Sequence, residues 1–282
     1  MLTLRRAFLF LIVVTGLPVS GGSEASRVGV LVMAHGGSPV WNRTVKDMVK
    51  EAGIEHPTRI YFGMGHTKEE ADLLQAAIKH LEGKRVHTIV VIPLLVSSYS
   101  EIYRQWRYLL GVDVNPGFNS TSFFPVTRRA TIEFGEPFND DPIISLILLD
   151  RAREISQNPG QESVVLVAHG PNDDSDNARW MQMLSRVCRT IQVRGRFKSV
   201  QGMTLRDDAP NEIRSQAVAS LRGHVEAIGK EGSRALVIPY LIAPGGIENK
   251  VGIALKGLDY TLNAKVVAPD HRLAQWIRSK IP

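Results

Sequence analysis

One cysteine, Cys188, stands among 282 residues, so the chain cannot form a disulfide within itself. Cys188 falls in a helical pattern, Trp180-Met-Gln-Met-Leu-Ser-Arg-Val-Cys188, where a thiol serves as a small core residue. There is no Gly-x-x-x-x-Gly-Lys-Ser/Thr loop, so nucleotide-driven chemistry has no support. There is no Gly-x-Ser-x-Gly elbow of the α/β hydrolases either. No Lys/Arg cluster is interleaved with aromatics and no low-complexity tail is present, which argues against nucleic acid as a partner. The formal charge of +6 favours anionic partners only weakly. Beyond the first 25 residues no apolar run approaches the roughly 20 residues that a membrane span needs.

Those first 25 residues form a separate segment. Arg5 and Arg6 precede a mostly apolar stretch, Ala7 to Val19, and Ser23-Glu24-Ala25 ends in small residues at alternate positions. This is the pattern of a secretory signal peptide. It makes residues 1–25 a leader and the protein an exported one, periplasmic or extracellular; an uncleaved N-terminal anchor is the alternative. Removing residues 1–25 from 282 leaves 257, and losing Arg5, Arg6 and Glu24 lowers the formal charge from +6 to +5. That length is ample for a sizeable core.

What is present is a repeat. Residues 28–36 read Val-Gly-Val-Leu-Val-Met-Ala-His35-Gly36, and residues 163–170 read Ser-Val-Val-Leu-Val-Ala-His169-Gly170. Each copy is followed by a second apolar run, Thr-Ile-Val-Val-Ile-Pro93 and Ala-Leu-Val-Ile-Pro239, 58 and 70 residues after its histidine. Repetition in the same order sets the architecture. It predicts two similar α/β halves, 26–157 and 162–282, joined through Gln157-Asn-Pro-Gly-Gln161.

Apolar runs place strands at 28–34, 58–62, 88–93 and 130–134, then at 163–168, 198–203, 234–239 and 264–268. Between them, 3.6-residue periodicity places helices at 68–81, 143–155, 176–191 and 212–228. The strands are continuous Val/Ile/Leu runs, as in strands covered on both faces. Strand–helix alternation implies right-handed crossovers. The expected fold is therefore α/β, two doubly wound halves, each a mainly parallel four-stranded sheet flanked by helices. The Gly/Pro/Asn-rich segment 112–122 has no assigned place.

In open parallel sheets ligands bind beyond the carboxyl ends of the strands. His35 and His169 belong there, each before a glycine that lets the chain turn. A lone histidine in such a place commonly just bonds a neighbouring loop; the repeat argues for more. Glu101, after the third strand, lies on the same rim as His35, where it is either a helix-dipole partner or a ligand and proton acceptor. In the second half Glu248 is displaced by one place relative to Glu101. After the second strand, Met64 reads as packing or a soft ligand, and His66 as an accessory ligand; the counterpart in the second half is Gln201 to Arg206.

The strand–Ala-His-Gly start, the Ile-Pro93-Leu-Leu-Val-Ser segment and Leu149-Asp-Arg151-Ala152-Arg-Glu154 resemble the class II tetrapyrrole chelatases, in particular the sirohydrochlorin cobaltochelatase/ferrochelatase (CbiX-type) family in its two-repeat form. The likeness spans most of residues 27–280. It implies insertion of Co(II) or Fe(II) into a sirohydrochlorin-type tetrapyrrole, with no cofactor beyond the substrate metal. His35 matches the family's metal-binding, proton-accepting histidine, and His169 its copy. Glu101 stands where many members carry a second histidine. The acidic residue expected after the second strand is replaced by Met64, and His-Gly-Ser-Arg by His35-Gly36-Gly37-Ser38-Pro39.

Insertion displaces two pyrrole protons, which a neutral imidazole and a carboxylate can accept. The resemblance thus implies His35 and Glu101 as catalytic residues, His35, Glu101, His66 and His169 around the metal, and Arg104, Arg107, Arg206 and Lys250 pairing with substrate carboxylates. The first half, with His35, His66 and Glu101, is the expected working half; the alternative is one cleft between the halves with His169 opposing His35. An exported, non-catalytic binder of metal or tetrapyrrole is the rival reading. No sequence feature sets an oligomeric state. If the leader is cleaved after Ala25, N-terminal sequencing of the extracytoplasmic protein begins at Ser26, whereas recovery only in the cytosol with Met1 intact contradicts export.

Overall fold

A computed structural model of the protein describes residues 27–115 and 123–282. The expected leader, 1–25, lies outside the described residues, as does most of the loop at 112–122. Among the described residues no helix is long and apolar enough to cross a membrane.

The first half runs β1 (Val28–Ala34), α1 (Pro39–Glu51), β2 (Thr58–Phe62), α2 (Lys68–Gly83), β3 (Thr88–Pro93), α3 (Glu101–Leu109), β4 (Thr131–Phe134) and α4 (Pro142–Arg153). The second runs β5 (Glu162–Ala168), α5 (Asp174–Gly195), β6 (Ser199–Thr204), α6 (Asn211–Lys230), β7 (Arg234–Tyr240), α7 (Ile247–Ala254), β8 (Thr261–Leu262) and α8 (His271–Ser279). Each half is a four-stranded, all-parallel sheet, ordered β2-β1-β3-β4 and β6-β5-β7-β8. Short polar residues start the helices. Ser38, Thr67, Ser100, Asp141, Asp173 and Asp270 each accept a backbone N–H of the first turn, satisfying a donor that the helix itself leaves open.

The repeat holds at the level of register. Met33 pairs with Pro93 and Val167 with Pro239, each two residues before its histidine. Ala34 pairs with Phe62 and Ala168 with Thr204. Helices α3 and α7 begin at the same distance from Pro93 and Pro239. One expected strand is corrected. Residues 264–268 are not a strand, and the last sheet member is the two-residue β8. Asn263 turns the chain out of the sheet by donating to Arg151 O at 2.7 Å and to Glu154 at 2.8 Å. Val267 and Ala268 stay buried and cross the end of the sheet, donating to the Leu241 and Ile242 carbonyls past β7.

Alternate faces of the strands enter different cores. Leu31, Met33, Ile89 and Val91 face α2 and α3, and Val165, Val167 and Val237 face α6 and α7. The opposite faces share one core: Val30, Val32, Val90 and Ile92 join Val164, Leu166, Leu236 and Ile238 through α1, α4, α5 and α8. The molecule is thus five layers deep. The terminal helices are exchanged across it. Helix α4 lies against β7 of the second sheet and against α5, and α8 lies against α1. Arg278 on α8 donates to the Ala52 carbonyl after α1 at 3.0 Å.

Arg151 pins this exchange. Its guanidinium is buried and donates to the carbonyls of Val266 (3.0 Å) and Pro269 (3.1 Å) and to Glu154 (3.0 Å). Truncation strands those acceptors without donors. Arg151→Ala should therefore cost about 3–5 kcal/mol in urea denaturation, the range for removing one partner of a buried charged network; the half-exposed neighbour change Arg153→Ala should stay within about 0.5 kcal/mol.

Candidate functional site

The carboxyl ends of both sheets open onto one cleft between the halves, about 550 Å³ in volume. His35, His66 and Glu101 line it from the first half, and His169, Asp208 and Lys250 from the second. The two histidine repeats therefore meet in a single site, in line with the shared-cleft alternative. Gly36 and Gly170, with φ of +80° and +77°, turn the chain immediately after each histidine. A Cβ on Gly170 would come within 2.5 Å of Thr204 Cβ, so both the turn and the close packing require glycine there.

The histidines are bonded alike through one nitrogen and differently through the other. Nδ1 of His35 bonds the Gly36 carbonyl, and Nδ1 of His169 bonds the Gly170 carbonyl at 2.8 Å. A carbonyl can only accept, so Nδ1 carries the hydrogen in both rings. Nε2 of His35 is then the lone-pair nitrogen. Burial lowers the pKa of His35, and the charge of His169 pushes it the same way, which keeps the imidazole neutral. Nε2 of His169 lies 3.2 Å from the Asp208 carboxylate, which also can only accept. Burial pulls the pKa of His169 down, but the Asp208 hydrogen bond, the Gly170 carbonyl and the charges of Asp208 and Asp207 together raise it. A ring nitrogen of His169 and carboxylate oxygens of Asp207 and Asp208 lie within 4.8 Å of one another, a set able to hold a metal ion, in keeping with the ligand role expected of His169.

The other expected residues divide. Glu101 lies in the first turn of α3 and accepts from Gln105 at 3.0 Å; His66 meets the other end of the Gln105 amide at 3.1 Å. Met64 lines the cleft and Glu248 accepts from the Gly246 backbone at 3.0 Å. All four expected substrate-binding cations are paired within the protein. Arg104 forms a two-point bond with Asp176, at 3.1 and 2.7 Å. Arg107 clasps Asp113 at 2.7 and 2.9 Å, and Arg206 is buried against Asp174 (2.6 Å) and the Pro171 carbonyl. Lys250 does reach the cleft, where it pairs with the buried Asp207. Among the described residues, six carboxylates line the cleft; Arg104 pairs with Asp176, and Lys250 and Arg214 with Asp207, so the acidic excess that favours cations rests on Glu101, Asp173, Asp208 and Glu248.

Sequence reasoning missed Asp207, Asp208 and the two tryptophans. Counting from the paired residues Phe62 and Thr204, Asp208 stands in the second half where His66 stands in the first, so strand register was the signal. Trp41 lies with its ring 4.4 Å from that of His35, and Trp180 donates to the Tyr99 carbonyl at 3.1 Å. Both line the cleft and back it with apolar surface.

Two facing parallel sheets with a histidine-bearing cleft between them define a class of α/β protein, and comparison gives that class its name. No family model and no curated protein matches the sequence. Among solved structures, SirB from Bacillus subtilis with Fe3+ aligns over 90% of this chain and 95% of its own, with a TM-score of 0.62 and 16% identity. CbiX, described as the terminal enzyme of siroheme biosynthesis in denitrifying bacteria, covers 90% and 97% with a TM-score of 0.54 and 12% identity. DR2241 from Deinococcus radiodurans, a multi-domain protein with structural similarity to chelatases, aligns over 90% of this chain and 54% of its own, with a TM-score of 0.54 and 14% identity. The chain has the chelatase fold.

The contrast between the histidines gives a titration test. By NMR, His35 should titrate below 6.5 and His169 above it. Asp208→Asn should lower the pKa of His169. The His169–Asp208 pair stabilises the fold where the carboxylate is ionised and the ring protonated. Its contribution is lost as pH rises through the raised pKa of His169, and as it falls through the lowered pKa of Asp208. Asp208→Asn should therefore destabilise the protein near pH 6 and have little effect near pH 9.

Proposed function

We propose that this protein inserts a divalent metal, Co(II) or Fe(II), into a sirohydrochlorin-type tetrapyrrole without a nucleotide. The observation that carries the reading is the meeting in one cleft of His35, bonded through Nδ1 to the Gly36 carbonyl, and the His169–Asp208 pair. The reaction needs a donor for the incoming cation and acceptors for the two protons that leave the pyrrole nitrogens. His35 supplies a lone pair at Nε2. Glu101 supplies a carboxylate on the same rim, able to hold the ion before transfer and to take a proton afterwards. The acidic excess of the lining concentrates cations, and Trp41 and Trp180, both largely buried, back the cleft with apolar surface. The chelatase fold, shared with SirB and CbiX, is consistent with this chemistry.

His169 has a different role from His35 in this reading. Its hydrogen bond to Asp208 raises its pKa while burial lowers that of His35, so His169 takes a proton more readily than His35 and, when protonated, can face an anionic edge of the substrate. Lys250 is the other cation available to substrate carboxylates. Export from the cytoplasm is part of the proposal and rests on the sequence of residues 1–25.

A second reading has its own support. The close grouping of His169, Asp207 and Asp208 and the acidic excess of the lining suit capture of a cation better than capture of a polyanionic macrocycle, which favours an exported metal-binding protein. Incubating the purified protein with sirohydrochlorin and Co(II) or Fe(II), and following the macrocycle's absorption, separates the two. Insertion should be rapid with the wild type, nearly lost in His35→Ala, and about 10²–10⁴-fold slower in Glu101→Gln if Glu101 takes the proton. A wild type that binds Co(II) but never metallates the macrocycle replaces the chelatase reading with the carrier reading.

A further inference from the structure

The expected site residues do not include the side chain that joins two of them. Gln105 sits on α3 one turn after Glu101, is 3% exposed, and lines the cleft. Both ends of its amide are engaged. One end lies 3.0 Å from Glu101 Oε1 and the other 3.1 Å from His66 Nε2. An ionised carboxylate has no hydrogen to give, so the atom facing Glu101 must be the amide nitrogen, and the atom facing His66 the amide oxygen. That oxygen only accepts. The hydrogen of a neutral His66 ring must therefore reside on Nε2, leaving the lone pair on Nδ1.

The rest of the surroundings hold His66 in the same pose. The backbone N–H groups of Gly65 and His66 both donate to Glu70 Oε2 at 2.8 Å, which fixes the loop after β2 to the first turn of α2. The ring meets Phe123 edge-on, with centroids 5.2 Å apart. A buried amide with both ends engaged has little freedom to turn over, because inverting it would set oxygen against carboxylate and N–H against N–H.

We infer that Gln105 is a positioning residue: it fixes His66 in the Nε2–H tautomer and ties it to Glu101, leaving His66 Nδ1 and the second Glu101 oxygen as donors for a divalent cation. This rests on the reading that the cleft takes such a cation. The ligands contributed after the second and third strands are thus set as a unit by a third side chain. Groups that orient metal-binding histidines in this way typically govern affinity by about 10–100-fold.

Two measurements on the full chain test this. First, in the metal-free wild type at pH 8.5, ¹⁵N NMR should find His66 as a single Nε2–H tautomer with a slowly exchanging proton. Gln105→Met, which keeps the volume, should convert it to a fast-exchanging average. An Nδ1–H ring, or fast exchange in the wild type, overturns the assignment whether or not the variant folds. Second, Co(II) alone, followed by its visible absorption, should bind about 10–100-fold more weakly to Gln105→Met, and His66→Ala should abolish that difference in the double variant. Unchanged affinity, or the same loss in the His66→Ala background, overturns the inference. If the wild type binds no Co(II), the cation reading fails, while the NMR result still decides the placement of the His66 proton.

Discussion

Two parallel sheets share one apolar core, and the location of the site follows from that packing. A strand covered on one face only would leave Val30, Val32, Val164 and Leu166 in water. They are instead buried together beneath α1, α4, α5 and α8, and each fully buried aliphatic side chain contributes about 1.5–3 kcal/mol. The exchange of α4 and α8 across this layer makes the halves interdependent. Arg151, with its donors spread over the carbonyls of Val266 and Pro269, gives the exchange its geometry. Once the sheets are held so, the carboxyl ends of β1 and β5 face a common space, and His35 and His169 meet in it.

Within that space one motif yields two chemical states. Both histidines donate through Nδ1 to the following glycine carbonyl. The difference comes from the end of the neighbouring strand, where β6 is followed by Asp207 and Asp208 and β2 by Gly65 and His66. Asp208 raises the pKa of His169, whereas burial lowers that of His35. The duplication thus supplies an acid-type and a base-type imidazole by altering a residue beyond the histidine itself, an example of environments that push like groups apart. In the first half an imidazole, His66, follows the second strand and a carboxylate, Glu101, the third. Gln105 bridges this pair.

The cations are distributed with the same economy. Arg104, Arg107 and Arg206 all belong to segments next to strand ends, and all bond carboxylates of the protein. Arg104 and Lys250 stand at the same distance from Pro93 and Pro239 and have parallel tasks, the first holding Asp176 of α5 and the second holding Asp207. These pairs fasten the walls of the cleft and leave its lining acidic.

The linear sequence determined the class of fold, the duplication and seven of the eight strands to within two residues, and it singled out His35, His66, Glu101 and His169, which the fold brings to one cleft. Those features are written in local periodicity and in repeated words, which survive without knowledge of what packs on what. The eighth strand was misplaced because Val266-Val267-Ala268 is as apolar as a strand yet is buried by crossing the sheet's end, after Asn263 has bonded Arg151 and Glu154 more than a hundred residues away. The same limit explains the site. That His169 meets Asp208, that Arg206 is turned inward, that Asp208 stands where His66 stands in the other half, and that Gln105 links His66 to Glu101 were decided only by tertiary structure. Each depends on which donor meets which acceptor across the fold, and hydrogen-bond partners distant in sequence leave no periodic trace in it.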